Sequence, residues 1–292
     1  MLDLIVATVT QGLIYALLSY GVYITYKILD FPDLTVDGSF PLGAAVTALL
    51  ITKGVNPFLA LLAAAVCGAA AGLCTGIIHI KFKVRDLLAG IITMTALFSI
   101  NLQIGGSNLS ITGSDTIFSL VPLGEMPLMY RKLIVSFVIA LVFKLILDLY
   151  FKTKSGLLLR AVGDNSTLVS VLAKDNGSVK ILGLVISNAL VALSGSVVCQ
   201  EQRSFSSTMG TGQIVFGLAT VIIGTTVFKK LGFVKGTTAV IFGSIIYKAC
   251  IQVAISLGLP TNLLKLITAV LFLVILVMGN LSSKGGKRNA RA

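Results

Sequence analysis

Where the chain leaves its first apolar run it reads Phe31-Pro32-Asp33-Leu34-Thr35-Val36-Asp37-Gly38-Ser39. Polar groups placed there can do two kinds of work. Thr35, Asp37, Gly38 and Ser39 can line a path for a solute, because polar side chains at membrane depth are costly and face protein or water. Asp37, beside Gly38, can equally cap the half-helix that follows it. Thr93, Thr95 and Asn101 in the fourth apolar run, Asn188 in the sixth and Gln213 near a second break complete the candidate pathway. For Thr93 and Thr95 a hydrogen bond to their own helix backbone is the preferred reading. The set is polar but nearly uncharged, which suits a neutral or zwitterionic solute such as an amino acid.

Other chemistries lack their residues. His79 is the single histidine, and there is no HExxH, no GxSxG and no clustered carboxylate pair, so no catalytic residue and no metal site is expected. Cys67, Cys74, Cys199 and Cys250 fall in or at the ends of apolar runs without a CxxC, which argues against a disulfide scaffold or a zinc site. There is no GxxxxGK[ST], so the chain cannot cradle a nucleotide by that route, and no cofactor is expected in it.

The elements that must position these residues are set by composition. Of 292 residues 56% are hydrophobic and 12% charged, with a mean hydropathy of +0.99, against roughly 25% charged in soluble domains. A bilayer core needs about 20 apolar residues per helical span. Such runs occur near 4–26, 40–52, 57–78, 87–104, 132–151, 180–200, 213–228, 236–257 and 263–279. The expected fold is an all-α polytopic membrane protein of about nine transmembrane helices. The first run is longer than a signal-peptide core and reads as a retained span. The run 40–52, between Gly/Pro-containing breaks, is too short to cross alone, so it is extended, sheltered or re-entrant.

The net charge of +12 comes from residues in the breaks, not from a continuous patch, so nucleic acid is not an expected partner. Sixteen basic residues fall on one side, among them Lys27, Lys81, Arg160, Lys229 and Lys284, against five on the other: Lys53, Arg131, Lys132, Arg203 and Lys265. Loops near the cytoplasm carry the excess, which puts the C-terminus inside and the N-terminus outside a cell or inner membrane. Lys144 and Asp148, four apart within a span, are expected to pair. Lys248 has no acidic partner on its helix, and either snorkels or faces a dimer interface. Gly68, Gly72 and Gly76 form a small-residue stripe, read as packing inside one subunit in preference to a dimer seam.

Phe31, Gly38, Gly43 and Ala45 recur at an offset of 174 as Phe205, Gly212, Gly217 and Ala219. The copies would start from opposite sides, the signature of an inverted repeat. The chain is read as one permease domain over 1–280, with repeat halves at about 4–104 and 178–279, a cytoplasmic loop at 152–178 and a basic tail at 281–292. In the loop Leu168, Val171 and Leu172 share one helical face and Asp164 or Asn165 can be the N-cap. Such a helix can be gripped by a partner protein or lie on lipid headgroups.

Gly156-x3-Arg160-Ala161, with Ala173 and the span that follows, resembles the cytoplasmic coupling region of the permease subunits of ABC importers of the branched-chain amino acid and ribose type. The run 31–40 with Gly43 is similar to that family's break after its first helix, in wording close to a subgroup linked to aromatic amino acid uptake. The resemblance covers roughly residues 10–280. It implies that Gly156, Arg160, Ala161, Asp164, Asn165, Leu168, Leu172 and Ala173 dock on a separate ATPase that binds ATP and Mg. It implies as partners a second permease copy in a homodimer, two cytoplasmic ATPase subunits and an extracytoplasmic solute-binding protein. Where many members carry Gly-Gly-x-Gly after the seventh span, this chain has Thr225-Thr226-Val227-Phe228, so the packing of that turn is expected to differ. An ion-coupled secondary transporter or a passive channel is the alternative, although the spans carry almost no buried acids beyond Asp37 and Asp148.

Overall fold

Apolar segments in lipid can satisfy their backbone groups only as helices or closed barrels, and the long runs here are helices. The computed structural model describes residues 2–121, 126–164, 176–228 and 234–258, with helical positions 266, 268–270, 273, 274 and 277. Helix α1 (Leu2–Val22) runs on through a π-helical turn, Tyr23–Ile28. There follow α2 (Val36–Thr52), α3 (Pro57–Ile80), α4 (Asp86–Gly105), strand β1 (Asn108–Ser110), the short α5 (Ile117–Leu120), α6 (Leu128–Tyr150) and α7 (Lys154–Asp164). Then come α8 (Asn176–Gln202), β2 (Ser204–Ser206), α9 (Gln213–Val227) and α10 (Gly236–Ser256). The expected run 263–279 and the tail lie largely or wholly outside the described residues.

Among the described residues six helices are long and apolar enough to cross a membrane. Helices α2 and α9, with 17 and 15 residues, are the two shorter apolar ones. At 1.5 Å per residue they cover about 26 and 22 Å, short of a hydrocarbon core of about 30 Å. The expected short run 40–52 is therefore extended backward to Val36, through Pro41, and remains short.

Helix α8 is the axis of the packing. Helices α1, α2 and α3 lie against it, and it is buried without interruption from Leu190 to Gln200. The glycine stripe makes the α3 contact possible: a Cβ at Gly72 would stand 2.3 Å from the Leu184 carbonyl oxygen, and one at Gly68 2.4 Å from that of Asn188. The stripe thus packs within the subunit. Hydroxyls reinforce the close approaches, as small polar residues do between membrane helices. Ser187 donates to Gly21 O (2.8 Å) and Ser244 to Gly12 O (2.6 Å), while Ser19 and Thr220 share a bond of 2.7 Å.

A two-stranded antiparallel ribbon, β1 with β2, pairs Leu109 with Phe205. No strand is expected from the sequence, since three-residue segments are too short to show a period of two. The ribbon ties the end of α4 to the chain leaving α8, with Phe205 buried.

Candidate functional site

The first break begins where the π-helical turn ends. Asp30 takes a left-handed φ of 52°, and buried Phe31 meets the His79 ring edge-on at 5.1 Å. Asp33, 1% exposed, then organises the turn. Its Oδ1 accepts from the backbone N–H of Thr35 (2.9 Å), an Asx turn. Its Oδ2 accepts from Nδ2 of Asn188 on α8 (2.7 Å). The Asn188 Oδ1 accepts in turn from the Ser39 hydroxyl (2.7 Å), and Nδ2 also donates to Leu184 O (3.0 Å). Thr35 and Thr75 share a hydroxyl bond of 2.8 Å, which reaches α3. From α4, Asn101 donates to Gly38 O (3.1 Å). One turn of chain is thereby fastened to three helices, and Thr35, Ser39, Thr75, Asn101 and Asn188 are all fully buried.

Asp37 corrects one expectation. It does not cap the helix that follows it. Thr35 occupies the N-cap position of α2, at φ −58°, with no side-chain cap bond. Asp37 already stands inside the first turn, so its carboxylate points away and crosses to α9. There it accepts from the N–H of Gly212 (3.0 Å, Oδ2) and of Ile214 (2.7 Å, Oδ1). An anion at a helix N-terminus satisfies orphan donors and complements the helix dipole. The approach needs glycine at the second break: a Cβ at Gly210 would stand 2.1 Å from Asp37 O, and Gly212 has φ +86°. Gln213 follows, its Nε2 donating to Met209 O (2.8 Å), and it borders a cavity on the α9 and α10 side.

The remaining pathway candidates stand apart. Thr93 and Thr95 each donate to the carbonyl four residues back, Ala89 O (3.0 Å) and Ile91 O (2.8 Å). Thr93 is buried and Thr95 exposed. The break therefore brings together Thr35, Gly38, Ser39, Asn101 and Asn188, and Asp37 joins it to Gln213.

Helix α7 carries the described part of the candidate coupling segment. Leu159 and Val162 are buried, and Gly156 packs on the Tyr150 carbonyl. Arg160 lies 4.8 Å over the Phe151 ring. Ala161 is half-buried and Asp164 exposed. Asn165, Leu168, Leu172 and Ala173 lie outside the described residues. Beneath α7 the expected pair Lys144–Asp148 forms at 3.1 Å and is enlarged, as Asp148 also accepts from Lys235 (3.0 Å) and Thr237 (2.6 Å).

Sequence reasoning missed Asp33 and Thr75. Asp33 had a signal, an acid two residues before Thr35 in a Pro-containing turn. Thr75 had none, because its partner is 40 positions away. Chemically the cluster joins neutral donors to a buried acid, and a turn held this way keeps one geometry while the helices around it pack.

A family model described as the permease component of branched-chain amino acid transport systems matches residues 4–276. The tyrosine transport system permease protein of Clostridioides difficile (strain R20291) is 46% identical over 288 residues, 98% of this chain and 95% of the relative. The ribose import permease protein RbsC of Escherichia coli (strain K12) is 25% identical over 252 residues, 85% of this chain and 77% of that one. The solved structure of PsaBC from Streptococcus pneumoniae in complex with Fab has a similar fold, with a TM-score of 0.53, 14% identity, and coverage of 92% of this chain and 89% of that one.

Proposed function

We propose, from the premise that the chain belongs to the family of permease components of branched-chain amino acid transport systems, that it forms the translocation pathway of an ABC importer for an amino acid. A solute with an aromatic side chain, tyrosine foremost, is favoured by its 46% identity to a tyrosine transport permease. The observation that carries a moving pathway is the Asp37 bridge between two broken helices. The segments Leu2–Ile28 and Asn176–Gln202 have 27 residues each and begin 174 positions apart, the offset at which Phe31 and Gly38 recur. Each leads through a break to a short apolar helix, and Asp37 of one half caps the N-terminus in the other. This supports inverted halves within a nine-span permease, N-terminus outside and C-terminus in the cytoplasm. Substrate sites in inverted-repeat transporters gather around such breaks.

Two copies of the chain enclose the route. A binding protein outside delivers the solute, and two ATPase subunits, which hold ATP and Mg, grip the segment 152–178. The exposed edge of α7, with Arg160 anchored on Phe151, is the part of that segment an ATPase cleft would press on. The pathway residues Thr35, Asp37, Gly38, Ser39, Thr93, Thr95, Asn101, Asn188 and Gln213 then divide into a fixed turn, a bridge and helix-satisfied hydroxyls.

The test is uptake of radiolabelled tyrosine, presented with its binding protein, into proteoliposomes containing the permease and its ATPase partner. The expected result is uptake that requires ATP and is abolished by Arg160→Glu. Uptake driven by a sodium or proton gradient without ATP would replace the importer by a secondary transporter, and conductance without either by a channel.

A further inference from the structure

Among the described residues, Lys248 is a half-buried cation between helices, apart from the break and unused by the coupling segment. Lys248, on α10, points its Nζ at the face of Tyr15 from α1, 3.5 Å from the ring centroid, and stands 5.2 Å from that of Phe216 on α9. The rings form one wall: Tyr15 and Phe216 are 5.0 Å apart, and Phe216 meets Tyr247 edge-on at 4.9 Å. They line one side of an open cleft of about 340 Å³, to which Gln213, Ile251 and Thr268 also contribute. Small-molecule sites are concave, mainly apolar and aromatic, with a few fixed polar groups, and begin at about 300 Å³.

Aromatic faces attract an ammonium, but they carry no net charge to neutralise it. Among the described residues no carboxylate lies within ion-pair distance of Lys248. The acid nearest in effect, Glu201, is committed to Lys132 (2.8 Å) and to Gln11 (2.9 Å). A charge so placed in an apolar surround is expensive until an anion joins it. Gln213, whose amide nitrogen is engaged with Met209, has a buried Oε1 with no partner at ordinary hydrogen-bond geometry, an acceptor on the same cavity.

The geometry points to a solute site in this cavity that takes a small carboxylate-bearing compound with an aromatic or bulky apolar side chain, its carboxylate on Lys248, its side chain against the Tyr15, Phe216 and Tyr247 rings, and its ammonium on Gln213. This deepens the importer reading and rests on it for the solute class, but the site can be tested without transport.

The measurement is equilibrium binding of tritiated L-tyrosine and L-leucine to the full chain in nanodiscs containing phosphatidylglycerol, with neither ATPase nor ATP present. Saturable binding is expected, with 3-(4-hydroxyphenyl)propionate competing and tyramine, which lacks the carboxylate, failing to compete. Lys248→Met should weaken binding by about 30-fold or more, as for loss of one partner of a buried charge pair, while Lys248→Arg retains it. The competition arm needs no variant and stands if Lys248→Met does not fold. Competition by tyramine equal to that of the acid, unchanged binding in Lys248→Met, or no binding of either amino acid would each overturn the site. Phosphatidylglycerol retained in native mass spectra and lost in Lys248→Met, without amino acid binding, would make it a lipid headgroup site and overturn it as well. Binding without ATP-dependent uptake would instead remove the importer reading and leave the site standing.

Discussion

The two breaks sit at matching places in the chain and are held in opposite ways. The first, between Ile28 and Val36, is internally satisfied: Asp33 closes its own turn and reaches Asn188, and Thr35 and, just inside α2, Ser39 are buried with partners. The second, leading into Gln213, has no acid of its own. It has Gly210 and Gly212, an exposed Thr208 and Thr211, and a helix start whose donors are met by Asp37 from the other half. A turn bound at many points resists displacement, since loss of any one bond leaves a buried polar group unsatisfied. The second turn has local bonds of its own, such as Gln213 to Met209 O, but Asp37 is the acid that ties it to the other half. On the importer reading, the contrast makes the first break the side expected to stay fixed and the second the side expected to move.

The comparison would break most visibly at the fixed side. Asn188→Leu strips Asp33 Oδ2 and Ser39 of their partner at once and should destabilise the protein by about 3 kcal/mol, read as a lowered unfolding midpoint in detergent. An unchanged midpoint would mean that the first break is not the rigid one. Gly72→Val, which drives a side chain into the Leu184 carbonyl, should cost about 1–3 kcal/mol by overpacking and appear in the same assay. Asp37→Asn sharpens the contrast at the moving side. It should cost about 1 kcal/mol, the usual worth of a cap, and raise amide exchange of residues 212–216 several-fold while 35–39 keep their protection. Equal loosening of both breaks would erase the distinction. Lys144→Met tests whether redundancy protects the Asp148 cluster, because Lys235 and Thr237 remain; a loss below about 1 kcal/mol is expected, measured by chemical unfolding. Thr95→Val, at an exposed position bonded only to its own helix, should stay within about 0.5 kcal/mol and leave uptake unchanged.

Most of the helices were legible because their cause is local. A run such as 57–78 is apolar over a span length and opens with Asn56-Pro57, and α3 begins there with Asn56 accepting from Phe58 N (2.9 Å). The Lys144–Asp148 pair was legible for the same reason, as one turn of helix sets its spacing. Asn188 was readable as a costly polar residue in a span, but its partner Asp33 is 155 positions away, and no local rule carries that distance. The direction of the Asp37 cap was misread for a related reason. The sequence can say that a carboxylate beside a glycine will seek N–H donors, but two helix starts were available, and only the packing of α2 against α9 brings the second within reach. Lys248 shows the same division: its lack of an acid on its own helix was visible in the chain, while the box formed by Tyr15 and Phe216 depends on α1, α9 and α10 meeting. The residue order reaches a membrane protein of long helices with two interrupted places, because lipid imposes length and backbone satisfaction on each segment separately. Which polar groups meet across those segments was decided by tertiary structure alone, because a hydrogen bond depends on ångström-scale approach between helices that the chain order does not encode.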